Sequence, residues 1–272
     1  MEQSVFTSCK KYTFVIFVLL MTLLISGCSG HIDTPIDAQT TGWFNHYFVY
    51  PFSLLIKQLA TWLNGSYGLS IIVITLTIRL ILLPTMLKQT KSNLLMQDKM
   101  KVIKPELDAL KEKYKDKQTR EDQMQMQQDM MKIYQKHNFN PFSYVSGCLP
   151  LLIQTPVLIA FYYAIRRTPE IAAQSFLWFD LGQTDILLTA IAVTIYFIQS
   201  RVSLIGLDEQ QRKQFAIMGI LSPIMIGVIS LNAPAALPLY WAVGGLFIII
   251  QTLISKRIFL QHKNEAETSV GN

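Results

Sequence analysis

Five apolar segments constrain this chain more than any other feature: 68–87, 142–165, 184–203, 215–231 and 237–258. Each is near the ~20 residues that an α-helix needs to cross a ~30 Å hydrocarbon core. Inside lipid no water is available to backbone amides, so such segments must satisfy their own hydrogen bonds as helices. Composition agrees. Of 272 residues, 51% are hydrophobic and 15% charged, against roughly 25% charged in a soluble domain. A single soluble domain, a disordered chain and a disulfide scaffold are excluded.

The charge is unevenly placed. Residues 88–136 hold 12 of the 24 Lys+Arg and 8 of the 18 Asp+Glu. Within this insert Met100, Ile103, Leu107, Leu110 and Tyr114 alternate steps of three and four, the spacing of a coiled-coil seam. Met126, Met130, Ile133 and His137 form a second such row. Asp116-Lys117-Gln118-Thr119 is the expected turn, with Thr119 capping the second helix and Asp122 three residues on. An antiparallel helical hairpin over 88–141 is therefore expected. Six methionines lie in it: Met96, Met100, Met124, Met126, Met130 and Met131. Flexible thioethers suit varied apolar partners, and they equally suit the filling of a seam. The basic excess suits anionic headgroups or ribosomal RNA, and the interspersed signs equally suit an ordinary solvated face.

Residues 1–27 have the plan of a lipoprotein signal peptide. Lys10 and Lys11 precede an apolar run from Tyr12 to Ile25. The run ends in Ile25-Ser26-Gly27-Cys28, which places a lipid-modifiable thiol at the cleavage point. Cys28 is the expected lipidation site. An uncleaved first transmembrane helix is the plainer alternative. Cys148 stands alone in an apolar stretch, so no disulfide is expected. Residues 28–67 read as an extracytoplasmic tether followed by an amphipathic helix. Trp43, Phe44, Tyr47, Phe48, Pro51, Leu55, Leu59 and Trp62 recur at helical steps, interrupted by Asn45, His46, Lys57 and Gln58. This pattern fits a helix in the membrane interface or one packed on the bundle, and the two are compatible.

A lipidated amino terminus lies outside, and five spans then place the carboxyl terminus in the cytoplasm. Basic residues support this orientation. The segments expected inside are 88–141, 204–214 and 259–272. They carry the 12 basic residues of the insert, Arg212 with Lys213, and Lys263; Lys256 and Arg257 stand at the membrane edge. Outside, 29–67 has only Lys57, and 166–183 has Arg166 and Arg167.

Arg79 is the most informative residue. It lies 11 positions after Gly68, about 17 Å into the first span at 1.5 Å per residue. On insertion scales an arginine there costs about 2.5–3.5 kcal/mol. None of the five segments contains Asp or Glu, apart from Asp185 at the outer end of the third. Neutral polar groups are present: Thr75 one turn before Arg79, Gln154 and Thr155, Gln199 and Ser200, and Gln251. Together with Arg79 they suit a wet recess that attracts a carboxylate from elsewhere. Pro150 and Pro156 flank Gln154 and suit either such a recess or a plain kink. Tyr240 and Trp241, near the outer end of the fifth span, read as part of an aromatic belt. No nucleophile constellation, phosphate loop or metal cluster is visible. The chain reads as no enzyme, with no cofactor beyond a covalent lipid on Cys28.

In sum the chain is expected to be an all-α membrane protein, a five-helix bundle with an outer interfacial helix and a cytoplasmic hairpin. At this point it resembles the YidC/Oxa/Alb membrane protein insertases, in the lipoprotein form of Gram-positive bacteria. The resemblance rests on Tyr67-Gly68-Leu69-Ser70-Ile71-Ile72 leading to Arg79, on Cys148-Leu149-Pro150-Leu151-Leu152-Ile153-Gln154-Thr155-Pro156, on Phe197-Ile198-Gln199, and on Leu239-Tyr240-Trp241-Ala242-Val243. It covers nearly the whole mature chain.

The resemblance implies five helices around a hydrophilic groove, open to cytoplasm and lipid and closed outside. It implies that Arg79 draws in an acidic group of the substrate, and that Thr75, Gln199 and Trp241 line or border the groove. This moves Trp241 from belt to groove. Implied partners are nascent membrane proteins, the ribosome, signal recognition components, the Sec translocon and membrane lipids, with no DNA. An anion transporter or channel using Arg79 as its selectivity charge is the alternative. A structural lipoprotein scaffold is a third reading. The missing inverted repeat and the hairpin lean against the transporter.

Overall fold

The computed structural model describes residues 34–116, 119–139, 149–207 and 209–270. The signal sequence, Cys28, Cys148 and the Lys117-Gln118 half of the expected turn lie outside these residues. The protein is predominantly helical. A π-helical turn, Asn45–Val49, leads into α1 (Tyr50–Trp62). Then follow α2 (Tyr67–Lys113), α3 (Arg120–Lys136), α4 (Leu149–Arg166) and α5 (Pro169–Ala172). A two-stranded hairpin, β1 (Ser175–Phe176) and β2 (Phe179–Asp180), precedes α6 (Ile186–Ser203), α7 (Glu209–Ser230) and α8 (Ala236–Val270).

Among the described residues three helices are long and apolar enough to cross a membrane: α2, α6 and the Ala236–Ile258 part of α8. Of the other two expected spans, the second is described only as α4, because 142–148 lie outside the described residues. The fourth appears as the apolar stretch Phe215–Ser230 of α7.

The residues form two compact units. The first comprises the described residues up to Thr75 with Ile153–Val193 and Met225–Val243. Its outer elements pack through small and aliphatic residues. Val49, Ser53, Ile56 and Ala60 are buried along one face of the π-turn and α1. Trp43, Tyr47, Leu54, Leu55 and Trp62 are exposed. The segment thus has the packed face and the free apolar face that its sequence allowed together. Ser53 Oγ and Thr168 Oγ1 share a buried hydrogen bond of 2.8 Å. Lys57 pairs with Glu170 at 2.8 Å and holds that carboxyl below the usual glutamate range. Arg167 donates from Nε to the Thr34 carbonyl at 2.8 Å and from Nη2 to Thr34 Oγ1 at 3.1 Å.

Local signals explain the α1–α2 corner. Asn64 is left-handed (φ 55°) and Gly65 has φ 84°. The Gly65 N–H reaches back to the Ala60 carbonyl at 2.7 Å, closing a Schellman motif on α1. Ser66 then starts α2 by accepting from the Leu69 N–H at 3.3 Å.

The second unit comprises the described residues within 76–152, 194–224 and 244–270. Where the sequence suggested a span and a separate hairpin helix, α2 is one 47-residue helix that continues through Pro84 and Pro105. Its length is about 70 Å. Helix α3 returns along its far half. Glu106 accepts from Lys136 and pairs with His137 Nε2, both at 2.9 Å. Tyr114 Oη donates to Asp129 at 3.1 Å. Met96, Ile103, Leu107 and Phe139 form a buried cluster, with Met100, Met130, Ile133 and Tyr134 against it. Thr119 caps α3, its hydroxyl accepting from the Asp122 N–H at 3.2 Å.

Candidate functional site

Arg79 lies in the second unit, on α2, with 9% of its surface exposed. Its guanidinium rests against the backbone of α8 at Gly244. A Cβ added to Gly244 would stand 3.0 Å from Arg79 Nη2 and 3.3 Å from Nε. Glycine here lets the charged group lie flat on the helix. Next to it, a Cβ on Gly245 would come within 2.7 Å of Ile195 and 3.0 Å of Tyr196. The Gly244-Gly245 pair is thus where α8 meets both the arginine and α6. Among the described residues, the Arg79 guanidinium makes no hydrogen bond or ion pair. A buried charge without a partner is costly.

Gln199 is half-buried on α6 in the same unit, and its backbone carbonyl accepts from Ser203 Oγ at 2.9 Å. Lys256, which the sequence placed only at the membrane edge, is also buried. Its ammonium donates to the carbonyls of Val202 (3.2 Å), Ser203 (2.7 Å) and Ile205 (2.6 Å). It therefore caps the C-terminal end of α6, where orphan carbonyls and the helix dipole favour a cation. The available signal was a lysine at the end of one apolar run facing the end of another, which cannot be paired without the fold. Lys256 and Arg79 thus differ. Lys256 is spent on backbone; Arg79 is not.

Thr75, Gln154 and Trp241 fall in the first unit. Thr75 is fully buried, and its hydroxyl donates to the Ile71 carbonyl of its own helix at 2.7 Å. Gln154 donates from Nε2 to Tyr240 Oη. Tyr240 also packs on Phe161, ring centroids 4.9 Å apart. Tyr240 and Trp241 are both buried. The belt reading of Tyr240 is corrected: its ring packs on protein and its hydroxyl accepts from Gln154, the partner that a buried phenol needs. Trp241 borders a largely apolar cavity of about 520 Å³, whose rim includes Tyr162, Tyr163 and Asn232. Among the described residues no cluster of His, Cys, Asp and Glu is placed to hold a metal.

Membrane-capable helices, a buried arginine lying on a glycine of the neighbouring helix, and a charged helical hairpin define a membrane-embedded protein. Residues 58–263 match the family described as 60Kd inner membrane protein. The chain is 46% identical over 257 residues to the membrane protein insertase YidC 2 of Listeria monocytogenes serotype 4b (strain F2365), covering 94% of this chain and 91% of that one. It is 41% identical over 256 residues to the membrane protein insertase MisCB of Bacillus subtilis (strain 168), covering 89% and 92%. A crystal structure of an active YidC insertase with its first transmembrane domain resolved is similar, with a TM-score of 0.55 and 28% identity. That match covers 79% of this chain and 46% of the solved one. The chain belongs to the YidC/Oxa/Alb family of membrane proteins.

Proposed function

We propose that this protein inserts and helps fold nascent integral membrane proteins, and also lipoproteins, alone or with the Sec translocon. In this reading five helices enclose a hydrophilic groove bordered by Arg79, Thr75, Gln154, Gln199 and Trp241. The hairpin over 88–141 lies in the cytoplasm and receives the chain from the ribosome and signal recognition components. Cys28 carries the lipid anchor outside, and the carboxyl terminus is cytoplasmic. The polar flank of a substrate enters the groove, where Arg79 and water lower the cost of holding a carboxylate at bilayer depth. The apolar segment then partitions into lipid, driven by its own burial.

The observation that carries this reading is the buried Arg79 guanidinium with no partner among the described residues, in a chain of an insertase family. Membership of that family removes the ground for the anion-transporter alternative. The test is insertion of a substrate with one or two carboxylates in a short outer segment, in cells depleted of the native protein. Arg79→Ala is expected to reduce insertion about tenfold or more, which corresponds to about 1.4 kcal/mol or more of lost interaction. Arg79→Lys keeps most activity. Full insertion with the alanine variant overturns the charge argument.

A further inference from the structure

The β1–β2 hairpin, in the first unit, presents its apolar residues the wrong way round for a turn in water. Its tip is Leu177-Trp178, with 73% and 51% of their surfaces exposed. Leu177 also has φ 57°, a left-handed conformation that a turn usually assigns to glycine or asparagine. Both the backbone strain and the exposed side chains are unfavourable in water.

The tip is rigidly mounted. Ser175 pairs with Asp180 and Phe176 with Phe179 across the strands. Phe179 and Leu181 are buried. The Phe176 ring lies so close over Gly68 that a Cβ there would come within 2.1 Å of it. Gly182 sits equally close to Ala172, where a Cβ would meet the carbonyl at 2.4 Å. The hairpin therefore cannot fold its tip back to bury it.

The hairpin also has a definite height. Gly68 is in the first turn of α2. The Ala235 and Ala236 N–H groups, at the start of α8, donate to the carbonyls of Gln183 (2.7 Å) and Leu181 (3.1 Å). Helix α6 begins at Ile186, just after β2, with Ile186 and Leu187 exposed. The three helices able to cross a membrane thus all start around this hairpin, so it stands at the bilayer boundary. Exposed aromatic and aliphatic residues belong at that level, where tryptophan is at home.

We infer that the Leu177-Trp178 tip is a membrane-interface anchor, inserted among the headgroups and upper acyl chains at the end where α2, α6 and α8 begin. It holds the first unit at a fixed depth. This is a role for the β-hairpin distinct from the substrate groove, and it stands whether or not Arg79 acts as proposed.

The chain has four tryptophans. Trp43→Phe, Trp62→Phe and Trp241→Phe together leave Trp178 as the reporter in nanodiscs. Lipids brominated near the headgroup are expected to quench it at least twofold more than lipids brominated near the bilayer centre. Leu177→Asp is expected to remove most of that quenching. Strong quenching by aqueous acrylamide with none by brominated lipid overturns the inference. So does shielding from both quenchers, which points to a protein cover. If the triple variant misfolds, the unaltered chain labelled with 5-fluorotryptophan gives the same reading. Its Trp178 resonance, assigned from Trp178→Phe, is expected to broaden with headgroup spin-labelled lipid, and an unbroadened resonance overturns the inference.

Discussion

The chemistry turns on how two cations differ. Lys256 is held by three carbonyls, so its charge closes a helix end. Arg79 lies on Gly244, where a side chain as small as alanine would stand 3.0 Å from the guanidinium. Gly244→Ala requires a shift of a few tenths of an ångström and regains about 1 kcal/mol of helix propensity. It is expected to keep most of its insertion activity. Gly244→Leu displaces the guanidinium altogether, and insertion is expected to fall about tenfold, as for Arg79→Ala. Full activity in a well-folded Gly244→Leu chain argues that the arginine needs no fixed seat. Ser53 shows the structural counterpart. Ser53→Ala leaves the buried Thr168 hydroxyl without its 2.8 Å partner, at a cost of about 1–3 kcal/mol, visible as a lowered thermal midpoint with insertion intact at moderate temperature.

Among the elements, the α2–α3 hairpin closes on a buried cluster of its own. Its seam is apolar, with polar pairs at either side. Thr119→Ala removes the cap of α3 and is expected to cost about 1 kcal/mol. Faster amide exchange in the first turns of α3 in the full chain is the measurement. The ion pairs add a pH dependence. Hydrogen bonds from Lys136 and then His137 hold Glu106 below its ordinary 4.5. Those from Lys132 and then Tyr114 hold Asp129 below its ordinary 3.8. A depressed carboxylate adds stability that is full above its ordinary value and is lost as pH falls through the depressed one. Protection of α3 is therefore expected to be flat above pH 4.5 and to decline below it, with Glu106→Gln reducing the decline.

The element boundaries show what local sequence carries. Met100, Ile103, Leu107, Met130 and Ile133, spaced by three and four, lie in or against the buried cluster, and Thr119 Oγ1 accepts from the Asp122 N–H. Met124 and Met131 are exposed instead. Phe139 joined the cluster without belonging to either row, since a residue just past a helix end follows no helical spacing. Tyr240 was misplaced for a related reason. Position along a span gives depth in the bilayer but not which way a ring turns, and the partner that settles it, Gln154, is 86 residues away.

At the scale of the molecule, orientation is the testable proposal. In intact cells an impermeant maleimide is expected to label Thr41→Cys and to leave Glu112→Cys unlabelled until the membrane is opened; both positions are exposed. Labelling of Glu112→Cys in sealed cells overturns the cytoplasmic placement of the hairpin. The sequence alone determined that the chain is a helical membrane protein with a charged insert, because hydrophobic length and charge placement are local and additive quantities. It also singled out Arg79, because a deep charge in acid-free spans is visible by counting. Only the tertiary structure decided that Lys256 closes a helix end while Arg79 lies on Gly244 with no partner among the described residues, and that Leu177-Trp178 points outward. Those outcomes depend on which distant backbone a side chain meets, and spacing along the chain does not encode that.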